Sequence, residues 1–148
     1  MKYIIFDVDN TIADQTDREN ISTKDGKLNW ALFKNDELLA KDKPIPQTLE
    51  ILKMFKENYK IIIVTARDEG GRRVTEGWLE RHKVKYDHLF MRKMGDFRPD
   101  VEVKQDIYQE HLKDLDVYAV FDDRPRIIKL WQSKGFFTFE CNNRKGDW

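Results

Sequence analysis

KYIIFDVDNT, residues 2–11, runs from a buried-looking apolar stretch straight into two carboxylates one residue apart. KYIIFD at 2–7 reads as a strand, and Asn10 with the hydroxyl of Thr11 suits the turn that follows it. A hydrated turn is the plain reading of Asp7 and Asp9. The second reading sets both carboxylates at the rim of a reaction crevice, and the rest of the chain has to decide between them.

Runs of the same kind recur as IIIVTA at 61–66, HLFM at 88–91, VYAVFD at 117–122 and FFTFE at 136–140. Helical periods fill the intervals. PIPQTLEILKMFKENY opens with prolines suited to a first turn and sets Leu49, Leu52 and Phe55 on one face. Further patterns pair Val74 with Trp78, Val103 with Ile107, and Ile127 with Trp131, the last ended by Gly135. Repeated strand, helix, strand order predicts an α/β fold: a mainly parallel sheet with helices on both faces and a ligand crevice beyond the carboxyl ends of the strands. At 148 residues the chain is the size of one domain. Residues 15–43 break the alternation and are read as a small cap insertion after the first strand, because so long a connection carries structure or function of its own. Within it NWALFKNDELLA reads as one helix whose Trp30, Phe33 and Leu38 pack the cap down.

Lysine plus arginine and aspartate plus glutamate number 27 each, so no global field gathers polyanions and any nucleic-acid contact is local. Cys141, the single cysteine, rules out an internal disulfide and a cysteine-rich zinc site and suits a reducing compartment, the cytoplasm. Apolar runs as short as IIIV do not span a bilayer, and the strand pattern starting after Lys2 leaves no room for a signal peptide. No membrane partner is expected.

The ends of the predicted strands carry Asp7 and Asp9, then Thr65 and Arg67, then Asp122, Asp123 and Arg124, with Lys104 in a helical stretch between. Carboxylates brought together there repel unless a cation sits among them, and a hard divalent ion such as magnesium accepts a few carboxylates plus a phosphate oxygen. Arg67, Lys104 and Arg124 would then face the phosphate and compensate charge that spreads over its oxygens. A carboxylate fixed on a rigid strand can attack phosphorus, which gives Asp7 the role of nucleophile. Asp9 would protonate the departing oxygen and later take a proton from water. For Asp122, Asp123 and Arg124 a helix N-terminus explains the same carboxylates, and both readings can hold together.

FDVDNT, VTAR, Lys104 and VFDDR resemble, in order, the four motifs of the haloacid-dehalogenase-like (HAD) phosphohydrolases. The resemblance implies a Rossmann-like sheet, a cap after the first strand and magnesium held by Asp7, the Asp9 carbonyl and Asp122, with Asp123 close by. It implies that Thr65 and Lys104 hold the phosphate. Asn10 stands where the family usually has glycine, and asparagine tolerates a left-handed turn. A narrower likeness lies in DVDNTIADQTDR, IIIVTAR, MRKMGDFRPDVEVKQDIY, FDDR and the closing GDW, which is similar to the 3′-phosphatase domain of phage polynucleotide kinase-phosphatase. That resemblance implies Arg18, Arg67 and Arg124 as phosphate contacts and a nucleic-acid 3′ end as substrate. A solvated cap residue is the other reading of Arg18. No GxxxxGK[ST] phosphate loop occurs in the chain, so a free-standing phosphatase with a separate kinase or ligase partner is expected.

Residues 67–98 hold nine basic and six acidic side chains with Tyr86, Phe90 and Phe97 interleaved, which suits either a strand-guiding surface or a mixed-charge helix whose aromatics are core. His82, His88 and His111 lack ligand spacing. Cys141 reads as packing beside the last strand. Two other functions stay open: a small-substrate nucleotide phosphatase with the same chemistry, and a phosphoaspartate signalling module that accepts phosphate without turnover.

Overall fold

The computed structural model describes residues 1–141. Its centre is β1 (Tyr3–Phe6), flanked in a five-stranded sheet by β2 (Lys60–Asp68) and β3 (His88–Arg92) on one side and by β4 (Val117–Asp122) and β5 (Thr138–Glu140) on the other. Every pairing in that sheet is parallel. Alternate residues of β1 and β2 feed opposite faces. Ile4, Phe6, Ile61 and Ile63 join Leu49 and Leu52 of α4 (Pro46–Phe55) and Trp78 and Leu79 of α5 (Arg72–Arg81). Ile5, Ile62 and Val64 join Val103 and Ile107 of α6 (Asp100–Ile107) and Ile127 and Trp131 of α7 (Pro125–Ser133). Two covered faces explain why these strands read as unbroken apolar runs. The predicted parallel α/β architecture is therefore the observed one.

After β1 the chain runs outward through β2 and β3, and then returns to the other side of β1 for β4 and β5. This reversal puts the sheet's switch point between β1 and β4, where adjacent strand ends open a crevice. Phe6 is in register with Phe121, and the Asp7 amide donates to the Phe121 carbonyl at 2.9 Å, so Asp7 and Asp122 leave the sheet side by side.

Between β1 and α4 lie α1 (Thr16–Ser22), a small antiparallel pair joining Thr23–Lys24 to Lys27–Leu28, α2 (Trp30–Phe33) and α3 (Asp36–Ala40). Ala13–Asp14 pairs antiparallel with Lys43–Pro44 and ties the two ends of this stretch together. The single helix predicted over 29–40 is two, because the Asn35 side chain accepts from the amides of Glu37 and Leu38 and starts α3 afresh. The expected packing of Trp30 is also overturned: it is 61% exposed, whereas Leu39, on the face turned toward α5, is buried. The last strand is shorter than FFTFE. Gly135, at φ 80°, ends α7, and Phe136 turns onto Trp131 before pairing begins at Thr138. Phe90, which the core reading of the 67–98 stretch would bury, is only partly buried. Cys141 follows β5 and packs partly against the core, as predicted, while the closing aromatic Trp148, which reads in sequence as a residue that docks, lies outside the described residues. Among the described residues no helix is long and apolar enough to cross a membrane.

Leu52 is fully buried on α4, and Met54, two residues on, is 71% exposed. Denaturant unfolding is expected to show Leu52→Ala losing about 2–5 kcal/mol, cavity cost included. Met54→Ala should stay within about 0.5 kcal/mol, with the same m value.

Candidate active site

The loop after β1 is held as firmly as the strand. Val8 and Ile12 are fully buried, and the Val8 carbonyl accepts from the amides of Thr11, Ile12 and Ala13. The Thr48 hydroxyl of α4 donates to the Thr11 carbonyl. Asn10 sits at φ 62°, the left-handed conformation that asparagine adopts at lower cost than most residues, so its place in a glycine position is accounted for. This tight turn carries Asp7 and Asp9 in opposite electrostatic settings.

Asp7, Asp122 and Asp123 are all buried, and each offers a carboxylate oxygen within 4.8 Å of the others. Lys104, 2% exposed on α6, donates to Asp7 Oδ1 at 3.0 Å and to Asp122 Oδ2 at 2.8 Å. Trp131 Nε1 also donates to Asp122 Oδ2, at 3.3 Å, and the Asp123 amide donates to Asp122 Oδ1 at 2.9 Å. Three carboxylates against one ammonium leave a surplus of up to two negative charges in a buried pocket. The surplus registers in the proton affinities. Burial and the Asp122 charge push Asp7 well above the usual carboxylate range against the pull of Lys104. Burial and Asp122 likewise lift Asp123 to about 7. For Lys104 burial opposes the charge, but Asp122 and Asp7 outweigh it and hold the ammonium protonated. An all-oxygen donor set of this charge fits a hard divalent cation, and the residues that fit are Asp7, Asp122 and Asp123.

The Asp9 carboxylate turns away from that trio into an arginine cluster. Arg18 and Arg67 reach its Oδ1 at 2.6 and 2.7 Å, and both also reach Asp42 Oδ2, at 2.9 and 3.2 Å. Two guanidinium groups against two carboxylates make this half of the site neutral. Burial works to raise Asp9, but Arg67 and then Arg18 outweigh it and bring the carboxyl down to about 2. Asp42 goes the other way, lifted by its burial against the pull of Arg18. The Arg18 guanidinium also donates to the Phe33 carbonyl at 3.1 Å and lies 4.3 Å over the Phe33 ring centroid, and it is 3% exposed. The reading of Arg18 as a solvated residue is thereby overturned: α1 folds its side chain inward onto the strand ends.

Thr65, fully buried within β2 three residues before its end, accepts from the Arg67 amide at 3.1 Å. Arg124 sits at the start of α7 and donates to Asp100 Oδ2 at 2.6 Å, while Arg92 takes Asp100 Oδ1 at 2.6 Å. Asp42, Arg92 and Asp100 were invisible as site residues in the sequence. Asp42 lies in AKDKP, which reads as a solvated charged stretch, and the one available signal is its place where the inserted segment returns to the sheet. Thr75 was missed too, and its hydroxyl accepts from Arg67 at 3.0 Å.

A family model described as the polynucleotide kinase PNKP phosphatase domain matches residues 1–148. The chain belongs to this phosphatase family. A protein of Autographa californica nuclear polyhedrosis virus, named as a bifunctional polynucleotide kinase/RNA ligase, is 26% identical over 133 residues, covering 87% of this chain and 17% of the viral one. A chain in the solved structure of a Pnkp1/Rnl/Hen1 complex is 27% identical with a TM-score of 0.80, covering 99% of this chain and 47% of that one. This chain thus spans less than half of either relative. A haloacid dehalogenase-like hydrolase, SP0104 from Streptococcus pneumoniae, shares the fold at 13% identity and a TM-score of 0.65, covering 93% of this chain and 83% of that one. Fold and family agree with the HAD-like phosphatase expected from the motifs.

Removing Arg18 leaves Asp42 buried with less compensation. Arg18→Ala is therefore expected to cost about 3–5 kcal/mol in denaturant unfolding, the loss typical of a broken buried pair, where a solvated arginine would cost almost nothing.

Proposed function

We propose that this phosphatase removes the terminal 3′ phosphate of a polynucleotide through an aspartyl-phosphate on Asp7, with magnesium as cofactor. The observation that carries the chemistry is the partition of the strand ends into an electronegative trio and a neutral arginine cluster within one crevice. The choice of substrate is supported by the family and by relatives whose names contain polynucleotide kinase or belong to an RNA-repair complex.

Asp7, Asp122 and Asp123 would hold the ion, with the Asp9 carbonyl assigned to it by the family resemblance. A bound divalent cation supplies charge neutralisation for the trio and for the phosphoryl oxygens. Asp7 Oδ forms the new bond to phosphorus as the ester P–O bond breaks, and the leaving oxygen takes a proton from Asp9. Water then attacks the phosphoaspartate, gives a proton to Asp9 and restores the Asp7 carboxylate. Both arginines hold Asp9 ionised in the arrangement described above. A phosphate that draws Arg18 and Arg67 onto its own oxygens releases the Asp9 carboxyl to carry the proton. Thr65 and Lys104 complete the phosphate contacts, and Arg124 approaches from the start of α7. Residues 15–43 act as the cap, bringing Arg18 and Asp42 over the strand ends, within one domain spanning 1–148. A separate kinase or ligase would act on the dephosphorylated end.

A panel of 3′-phosphorylated oligonucleotides, 3′ and 5′ mononucleotides and sugar phosphates, ranked by kcat/KM with magnesium and with EDTA, tests this reading. Oligonucleotide 3′ ends are expected to lead and EDTA to abolish turnover; equal turnover of free 5′ nucleotides would instead identify a nucleotidase. Asp7→Asn should abolish phosphoenzyme formation, and Asp9→Asn should lower kcat by roughly a hundredfold to ten-thousandfold. Stoichiometric phosphorylation without steady turnover in the unaltered protein would mark a signalling module.

A further inference from the structure

Phe97 is 86% exposed in the loop between β3 and α6, and Met94 in the same loop is 67% exposed. The other aromatics of the 67–98 stretch are engaged: Tyr86 packs against the core, and Phe90 is stacked between His88 and His111, with centroids at 5.7 and 4.2 Å. Phe97 lies beside Lys34, which links it to the residues around the arginine cluster. Lys34 Nζ, next in sequence to the Phe33 ring that supports Arg18, lies 5.9 Å from the Phe97 centroid and 3.3 Å from Asp68 Oδ2. Asp68 follows Arg67 at the end of β2. Trp30 meets Phe33 edge-on, with ring centroids 5.9 Å apart, and is itself 61% exposed.

The exposed rings thus sit in segments rich in charge: Lys34, Lys93 and Arg98 belong to the same two stretches and pair at the surface with Asp68, Glu110 and Asp106. A broad apolar partner or a lipid surface does not fit such an interrupted rim. A nucleotide does, because it offers a flat π face beside an anionic backbone, and aromatic stacking accepts any base. We propose that Phe97 is a stacking platform for the base at the 3′ end of a single strand, with Lys34 and Lys93 facing its backbone. This deepens the polynucleotide reading and rests on it.

The test compares kcat/KM for a 3′-phosphorylated oligonucleotide with an intact terminal base and for the same oligonucleotide abasic at that position. The unaltered protein is expected to prefer the intact end about tenfold to a hundredfold, mostly through KM, as stacking of one base allows. In Phe97→Ala that preference should collapse toward one, and Phe97→Trp should keep it. A preference in Phe97→Ala equal to that of the unaltered protein overturns the proposal, including when both substrates slow equally, which is what a merely structural role predicts. Failure of the underlying reading looks different: the unaltered protein would turn over free 5′ nucleotides as well as oligonucleotides, and the stacking proposal would fall with it.

Discussion

The arrangement of this molecule turns on a charge imbalance: buried Asp7, Asp122 and Asp123 face Lys104 as their close cation. Folding does not require such a pocket, since carboxylates removed from water without full compensation oppose stability. The raised proton affinities of Asp7 and Asp123 record that opposition. The remainder of the structure holds the imbalance in place. Parallel pairing with Phe6 opposite Phe121 aligns two of the carboxylates, the Asp122 oxygens are occupied by Lys104, Trp131 and the Asp123 amide, and Val8 and Ile12 anchor the turn that carries Asp7.

Next to it lies a cluster of the opposite character. Arg18, Arg67, Asp9 and Asp42 cancel within hydrogen-bond distance, so Asp9 is ionised at about 2 while Asp7, two residues earlier, is lifted. One tight turn therefore gives two chemically alike side chains unlike proton affinities. The neighbours each carboxylate meets, and not its place in the chain, set that divergence.

Much of this was legible in the sequence for a simple reason. In a parallel sheet the polar residues that end each apolar run converge at one edge, so Asp7, Asp9, Thr65, Arg67, Asp122 and Asp123 could be collected without knowing the strand order. Lys104 lies off the strand ends and is less firmly marked, because on a helix nothing in its local pattern separates a buried lysine from a solvated one. Asp42 and Asp100 stayed hidden for the same reason: their partners, Arg18 and Arg92, are distant or ordinary in sequence. The break between α2 and α3 was missed because the apolar period continues across Asn35, and side-chain capping at that one residue overrode it. Trp30 shows the same limit, since an aromatic on a short helix reads as core unless the facing surface is known.

The two-residue ladder joining Ala13–Asp14 to Lys43–Pro44 fixes the separation of the points where the inserted segment leaves and rejoins the sheet layer. With those gateposts fixed, the chain between them is an excursion whose length is weakly constrained, since doubling a flexible loop costs only about 0.6 kcal/mol. Related chains can therefore grow, shrink or replace that excursion, changing what reaches the strand ends from above, while the register of β1 against β4 stays untouched.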